Sequence, residues 1–254
     1  AALEWAMRTL LLLLALLAAD RPAAAEPVVV AGLSGQPPLA VVQDDGHLGG
    51  LEPDLVATLC ARLEDGCTLV VATDWSDLIS GLREGRYAIG FGGLSTVTLA
   101  SQGTAASSPY LPLLAQHAVL AHAAGAGDPL ADDGAMIGVI RGTPHALWLE
   151  AHLPLERLQR FADDEEMFLS LHTGSVDAVF GDGLILWRDL LNAPLGQGVV
   201  LAGPGIAVED DGLALALSHD PAAAAEVEAA LAQMREDGSF AALIARHLPG
   251  LPLP

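Results

Sequence analysis

The sequence predicts an α/β fold in two lobes, each a mostly parallel sheet flanked by helices. Three observations carry that expectation. Short β-branched runs alternate with helical patterns over most of the chain. The pattern changes at Gln116–Ala121 and restarts at Met136. The strand-to-helix joints of both halves carry glycine beside a hydroxyl or an aspartate, and open parallel sheets collect ligands at such joints, beyond the carboxyl ends of their strands.

In the first half, Val28–Leu33 reads as a strand and Gly50–Leu63 as a helix with Asp54 in its first turn. The strand Thr68–Ala72, the helix Trp75–Glu84 and the strand Ala88–Phe91 follow, which is βαβαβ order. In the second half, the strand Met136–Ile140 leads through Arg141-Gly-Thr143 into a helix Pro144–His152, with proline where a first helical turn tolerates it. An acidic helix start at Asp163–Glu166 runs to Leu171, and the strand Val176–Phe180 leads through Gly181-Asp182-Gly183 into a helix Leu184–Leu191. Gln116–Ala121 and Leu213–Leu217 read as the two crossings between lobes, and the helices Ala222–Leu231 and Phe240–His247 as a return to the first lobe. The expected division is residues 26–117 plus 213–254 for lobe 1 and 118–212 for lobe 2, with a binding cleft between them.

Composition excludes several classes. The 254 residues are 52% hydrophobic, enough for a substantial core. Net charge is −21, and all eleven basic residues are arginines. An anionic membrane surface or a phosphate backbone would be repelled, so nucleic acid is not an expected partner. The N-terminus reads as a signal peptide over residues 1–25: Met7-Arg-Thr, an apolar run Leu10–Ala19, then small residues before a cut after Ala25. Residues 1–6 read as lying ahead of the true start. The expectation is a soluble, periplasmic monomer.

Cys60 falls at the end of a helical pattern and Cys67 opens the next strand, with Glu64-Asp65-Gly66 as the turn between. In an oxidising compartment two thiols so placed are expected to pair. A redox or metal role is the alternative. Eight scattered histidines offer no metal-site spacing, and no nucleophile elbow, phosphate loop or dinucleotide fingerprint is present. No metal or cofactor is expected.

Seven stretches, in order, resemble the family 3 periplasmic solute-binding proteins of ABC importers, of the histidine-binding and lysine/arginine/ornithine-binding type. They are Gly50–Leu55, Leu59–Cys67, Asp74–Leu82, Ser107–Tyr110, Gly138–Thr143, Gly174–Asp182 and Met234–Phe240. The resemblance covers residues 28 to 248. It implies a type II periplasmic-binding-protein fold, hinge closure on a small molecule, an ABC permease as partner, and a disulfide between Cys60 and Cys67. It also implies site roles: Trp75 stacks on the ligand, Ser95 supplies a hydroxyl, Gly142-Thr143 offer amide and hydroxyl donors at a helix start, and Asp182 meets an amino group.

The departures bear on specificity. Ala100 stands where the family's arginine clamps an α-carboxylate, Val97 at its threonine position, Gln36 where an aromatic closes the ligand's other face, Leu33 at an acidic position, and Gly92 and Gly93 at two serines. Without the bidentate guanidinium, a ligand carboxylate in a dehydrated cleft would be poorly paired. The ligand is therefore expected to be amino-acid-like or amine-bearing, held by backbone and hydroxyl groups, and not a standard α-amino acid. Arg141 is the one candidate to supply the missing guanidinium, although arginines beside such turns more often face solvent.

Each residue also has a plain structural reading. Trp75 would serve as a core aromatic, Asp182 and Thr143 as helix caps, and Asp54 as a helix-start residue. Two other functions remain open. One is a cyclohexadienyl-dehydratase-like enzyme with Asp182 as the acid, and the other is a sensory or accessory protein with a repurposed pocket.

Overall fold

The computed structural model describes residues 28–63, 66–190, 196–208 and 211–251. The signal peptide read over residues 1–25 lies outside the described residues.

The chain begins with β1 (Val28–Gly32), a β2–β3 hairpin (Val41–Val42, Leu48–Gly49), α1 (Leu51–Cys60), β4 (Cys67–Val71), α2 (Trp75–Arg83) and β5 (Ile89–Phe91). A short helix α3 (Thr96–Ser101), β6 (Ala105–Ala106) and β7 (Leu111–Pro112) follow. Along β1, Val30 and Ala31 are both buried but join different apolar clusters, as the period of two in a strand requires. That sheet is thus covered on both faces. α1 turns Leu51, Leu55, Val56 and Leu59 inward, and α2 buries Leu78, Ile79 and Leu82.

The second unit runs β8 (Ala115–Leu120), β9 (Ile137–Ile140), α4 (Pro144–His152), β10 (Leu158–Phe161), α5 (Asp164–Thr173), β11 (Ala178–Asp182), α6 (Gly183–Leu190) and β12 (Val199–Ile206). Its two faces are again covered. α4 packs with Ile137, Val139 and Phe180, and α5 and α6 pack with Ala118 and Val179 on the other side. The chain then returns through β13 (Gly212–Leu213), β14 (Ala216–Leu217), α7 (Pro221–Glu236) and α8 (Ser239–His247). Val227, Leu231, Met234 and Ile244 of those helices share the core of β1 and α1.

The first sheet has the order β4-β1-β5-β14-β6 and the second β10-β9-β11-β8-β12. In each, three parallel strands are followed by one that runs against them, β14 or β8, and then by an edge strand, β6 or β12, that is antiparallel to that fourth strand and so runs with the first three. The expected α/β, two-lobed fold is what forms. The first crossing lies earlier than the sequence suggested: Gln116–Ala121 falls largely in β8, an internal strand of the second sheet, and the chain changes sheet just before it. There β7 and β13 pair antiparallel, Pro112 against Gly212 and Leu111 against Leu213. Ala216 and Leu217 of the other expected crossing belong to the first sheet. Extended apolar residues look alike in sequence whether they bridge two sheets or complete one.

Cys60 and Cys67 form a disulfide with a Cα–Cα separation of 5.5 Å. It joins the last residue of α1 to the first of β4.

Candidate functional site

Two cavities lie at the carboxyl ends of the parallel strands, one on each sheet. The first, about 430 Å³, is lined by Leu33, Ser34 and Gln36 after β1, Ala72 to Trp75 after β4, and Gly92 to Leu94 after β5. Trp75 is half-buried, touching the cluster of Leu78 and Leu82 while lining the cavity. Its core and ligand-facing readings are therefore compatible. Asp74 caps α2 by accepting a hydrogen bond from the Asp77 N–H at 2.9 Å.

Gly92 and Gly93 line this cavity with positive φ of 143° and 70°. A Cβ at Gly92 would lie 2.5 Å from that of Leu33, so the joint needs glycine for both conformation and space. Their N–H groups donate inward to Glu52, at 3.3 Å from Gly92 and 3.0 Å from Gly93. The Tyr110 hydroxyl donates to the same carboxylate at 2.6 Å. Burial pushes the Glu52 carboxyl above its ordinary range, and the bonds from Tyr110, Gly93 and Gly92 offset part of that rise.

The second cavity, about 410 Å³, is lined by Thr143, Pro144 and His145 after β9, Ala162 to Asp164 after β10, and Asp182 at the end of β11. The Thr143 hydroxyl donates to the Ile140 carbonyl at 2.8 Å and accepts from the Ala146 N–H at 3.1 Å, so it caps α4. Asp182 accepts from the Ile185 N–H at 2.8 Å at the start of α6. Burial raises its carboxyl above the ordinary range, partly offset by that bond and by His145 and Arg188. His145 meets Phe180 edge to face at 6.2 Å between ring centroids.

A smaller space of about 80 Å³ shares Pro144, His145 and Asp182 with the second cavity and adds Leu113, Val208 and Asp211 from the crossings. Asp211 reaches across to the first lobe. It accepts from the Thr96 hydroxyl at 2.7 Å, the Val97 N–H at 3.1 Å and the Gly212 N–H at 2.8 Å. Burial opposes its ionisation, yet these bonds and one from Ser95 outweigh that and hold the carboxyl below its ordinary range.

The two larger cavities share no lining residue, and each lies at the strand ends of its own sheet. Cavities at the carboxyl ends of parallel strands are where open α/β sheets collect ligands. A family model described as bacterial extracellular solute-binding proteins, family 3, matches residues 28–250. The chain belongs to that family.

The L-arginine-binding protein of Pseudomonas aeruginosa is 25% identical over 225 residues, covering 86% of each chain. The open form of substrate-binding domain 2 of Lactococcus lactis GlnP superposes with a TM-score of 0.71 at 19% identity, over 89% of this family member and 97% of that domain. An ancestral cyclohexadienyl dehydratase superposes with a TM-score of 0.70 at 20% identity, over 87% and 92%. At such identities the two structures speak for the fold alone.

Of the residues singled out by sequence, the fold gathers Gln36, Trp75, Gly92 and Gly93 around one cavity, and Thr143 and Asp182 around the other. Ser95, Arg141 and Gly142 are not among the lining residues. Ser95 caps α3, accepting from the Thr98 N–H at 3.1 Å, and Arg141 is exposed on the turn after β9. His145 and Asp211 went unrecognised. His145 stands two residues past the Thr143 cap, which was a usable signal, but Asp211 closes the acidic run Glu209-Asp-Asp211, which reads as solvated surface.

Proposed function

We propose that this family member is an extracytoplasmic solute-binding protein, working as a monomer, that captures a small polar solute and presents it to an ABC permease. The solute is amino-acid-like or amine-bearing and is not a standard α-amino acid. The observation that carries the reading is the pair of separate half-sites on two sheets joined by the β7–β13 crossing. A ligand that bonds both halves favours the closed arrangement by its extra affinity for it. The arginine-binding relative supports the solute class. Ala100, a residue of α3 with no guanidinium of its own, supports the departure from ordinary amino acids.

In this reading Trp75 supplies the stacking face and Asp182 receives an amino group. A thermal-shift screen across amino acids, amines, opines and organic acids tests it, because a solute that binds only the folded protein raises its melting temperature. Trp75→Ala should lower the affinity of any hit at least about tenfold, the weight of a buried aromatic contact. No hit across the panel would remove the proposal.

The enzymatic reading has one observation in its favour, the raised Asp182 carboxyl in a cavity, which suits a general acid. Aromatic product from prephenate or arogenate would establish it in place of transport.

A further inference from the structure

The stretch from Gly92 to Thr98 is rich in donors, yet the chain itself uses them. The amides of Gly92 and Gly93 serve Glu52. The hydroxyl of Ser95 bonds Thr98 at 3.0 Å. The hydroxyl of Thr96 and the amide of Val97 converge on one oxygen of Asp211, with the Gly212 amide as a third donor. Asp211 comes from the second crossing, 115 residues beyond Thr96. An oxygen held by three donors in this way is bonded as a captured carboxylate would be.

The same side chain lines the 80 Å³ space together with Asp182 and His145. Asp74, Asp163 and Asp164 line the two larger cavities, and no arginine is among the residues lining any of the three. Lysine is absent from the chain altogether. An incoming carboxylate would find these donors taken and acidic groups around it. An incoming cation would find carboxylates from two elements.

We propose that Asp211 is a built-in carboxylate: it fills the donors at the start of α3 and, with Asp182, makes the cleft select a cationic solute that carries no carboxylate, such as a diamine or a guanidino-amine. This rests on the solute-capture reading and names the class of solute within it. The protein thereby supplies the acid group that an amino acid would otherwise bring.

Calorimetry on the purified protein with agmatine and with arginine decides the matter, since the two differ by one carboxylate. Agmatine should bind at least tenfold more tightly than arginine. Asp211→Asn keeps the size and one acceptor oxygen but removes the charge, and should cut that ratio at least tenfold. Arginine binding as tightly as agmatine in the unaltered protein overturns the proposal whether or not the variant folds. A ratio unchanged in a folded Asp211→Asn variant overturns it too. Binding of a neutral solute with neither probe bound would end the cationic selectivity while leaving solute capture intact, and silence across the whole panel would end both.

Discussion

Glu52 lies fully buried on α1, and its carboxylate ties that helix to the Gly92–Gly93 turn and to Tyr110 just before β7. Replacing it with alanine would leave three donors without their partner, each a cost of about 1–3 kcal/mol when buried. Glu52→Ala should therefore lose about 3 kcal/mol or more in urea unfolding, and Glu52→Gln much less. The pH dependence separates charge from shape. The folded carboxyl sits above its ordinary value of 4.5, chiefly through burial, so between the unfolded and folded values the native state holds the proton more tightly. The stabilisation is full below about 4.5 and declines as pH rises through the folded value. Glu52→Gln should remove that decline, and a pH–stability profile identical in the two proteins would contradict the assignment.

At the scale of elements, the joint between α1 and β4 depends on the bond from Cys60 to Cys67, a closure of seven residues. Loop entropy gives such a bridge about 2 kcal/mol. The Cys60→Ala/Cys67→Ala double variant should lose roughly that amount in denaturant unfolding and bind solute as before, since neither cysteine lines either of the two larger cavities. Unchanged stability would mean that packing of Leu55 and Leu59 holds the joint alone. This joint was legible in the sequence because a helical period met a β-branched run across a glycine turn. The βαβ order and the terminal helices were legible for the same reason: period and turn chemistry are local. Trp75, Thr143 and Asp182 were marked instead by the family resemblance, and each lines a cavity. The crossing at β7 was not legible, because which sheet an extended segment joins is decided by partners such as Gly212, far along the chain. Asp211 escaped for the same physical cause. Its partners Thr96 and Val97 stand on an element that sequence spacing does not connect to it.

Across the whole molecule, a net charge of −21 and a cleft lined by aspartates act in the same direction. On the solute-capture proposal, a cationic solute would be drawn in before it touched Trp75 or Asp182, and fields of this kind raise association rates by about tenfold or more. The attraction reaches about 30 Å at 0.01 M salt and about 8 Å at 0.15 M. For agmatine, stopped-flow tryptophan fluorescence should show an association rate falling about tenfold between those two conditions. The dissociation rate should change little, because it reports the short bonds made after closure. A neutral solute of the same size should associate at a rate nearly independent of salt. If the agmatine rate were equally flat, the acidic surface would serve solubility only, and whatever selectivity the cleft has would arise wholly from contacts within bonding distance.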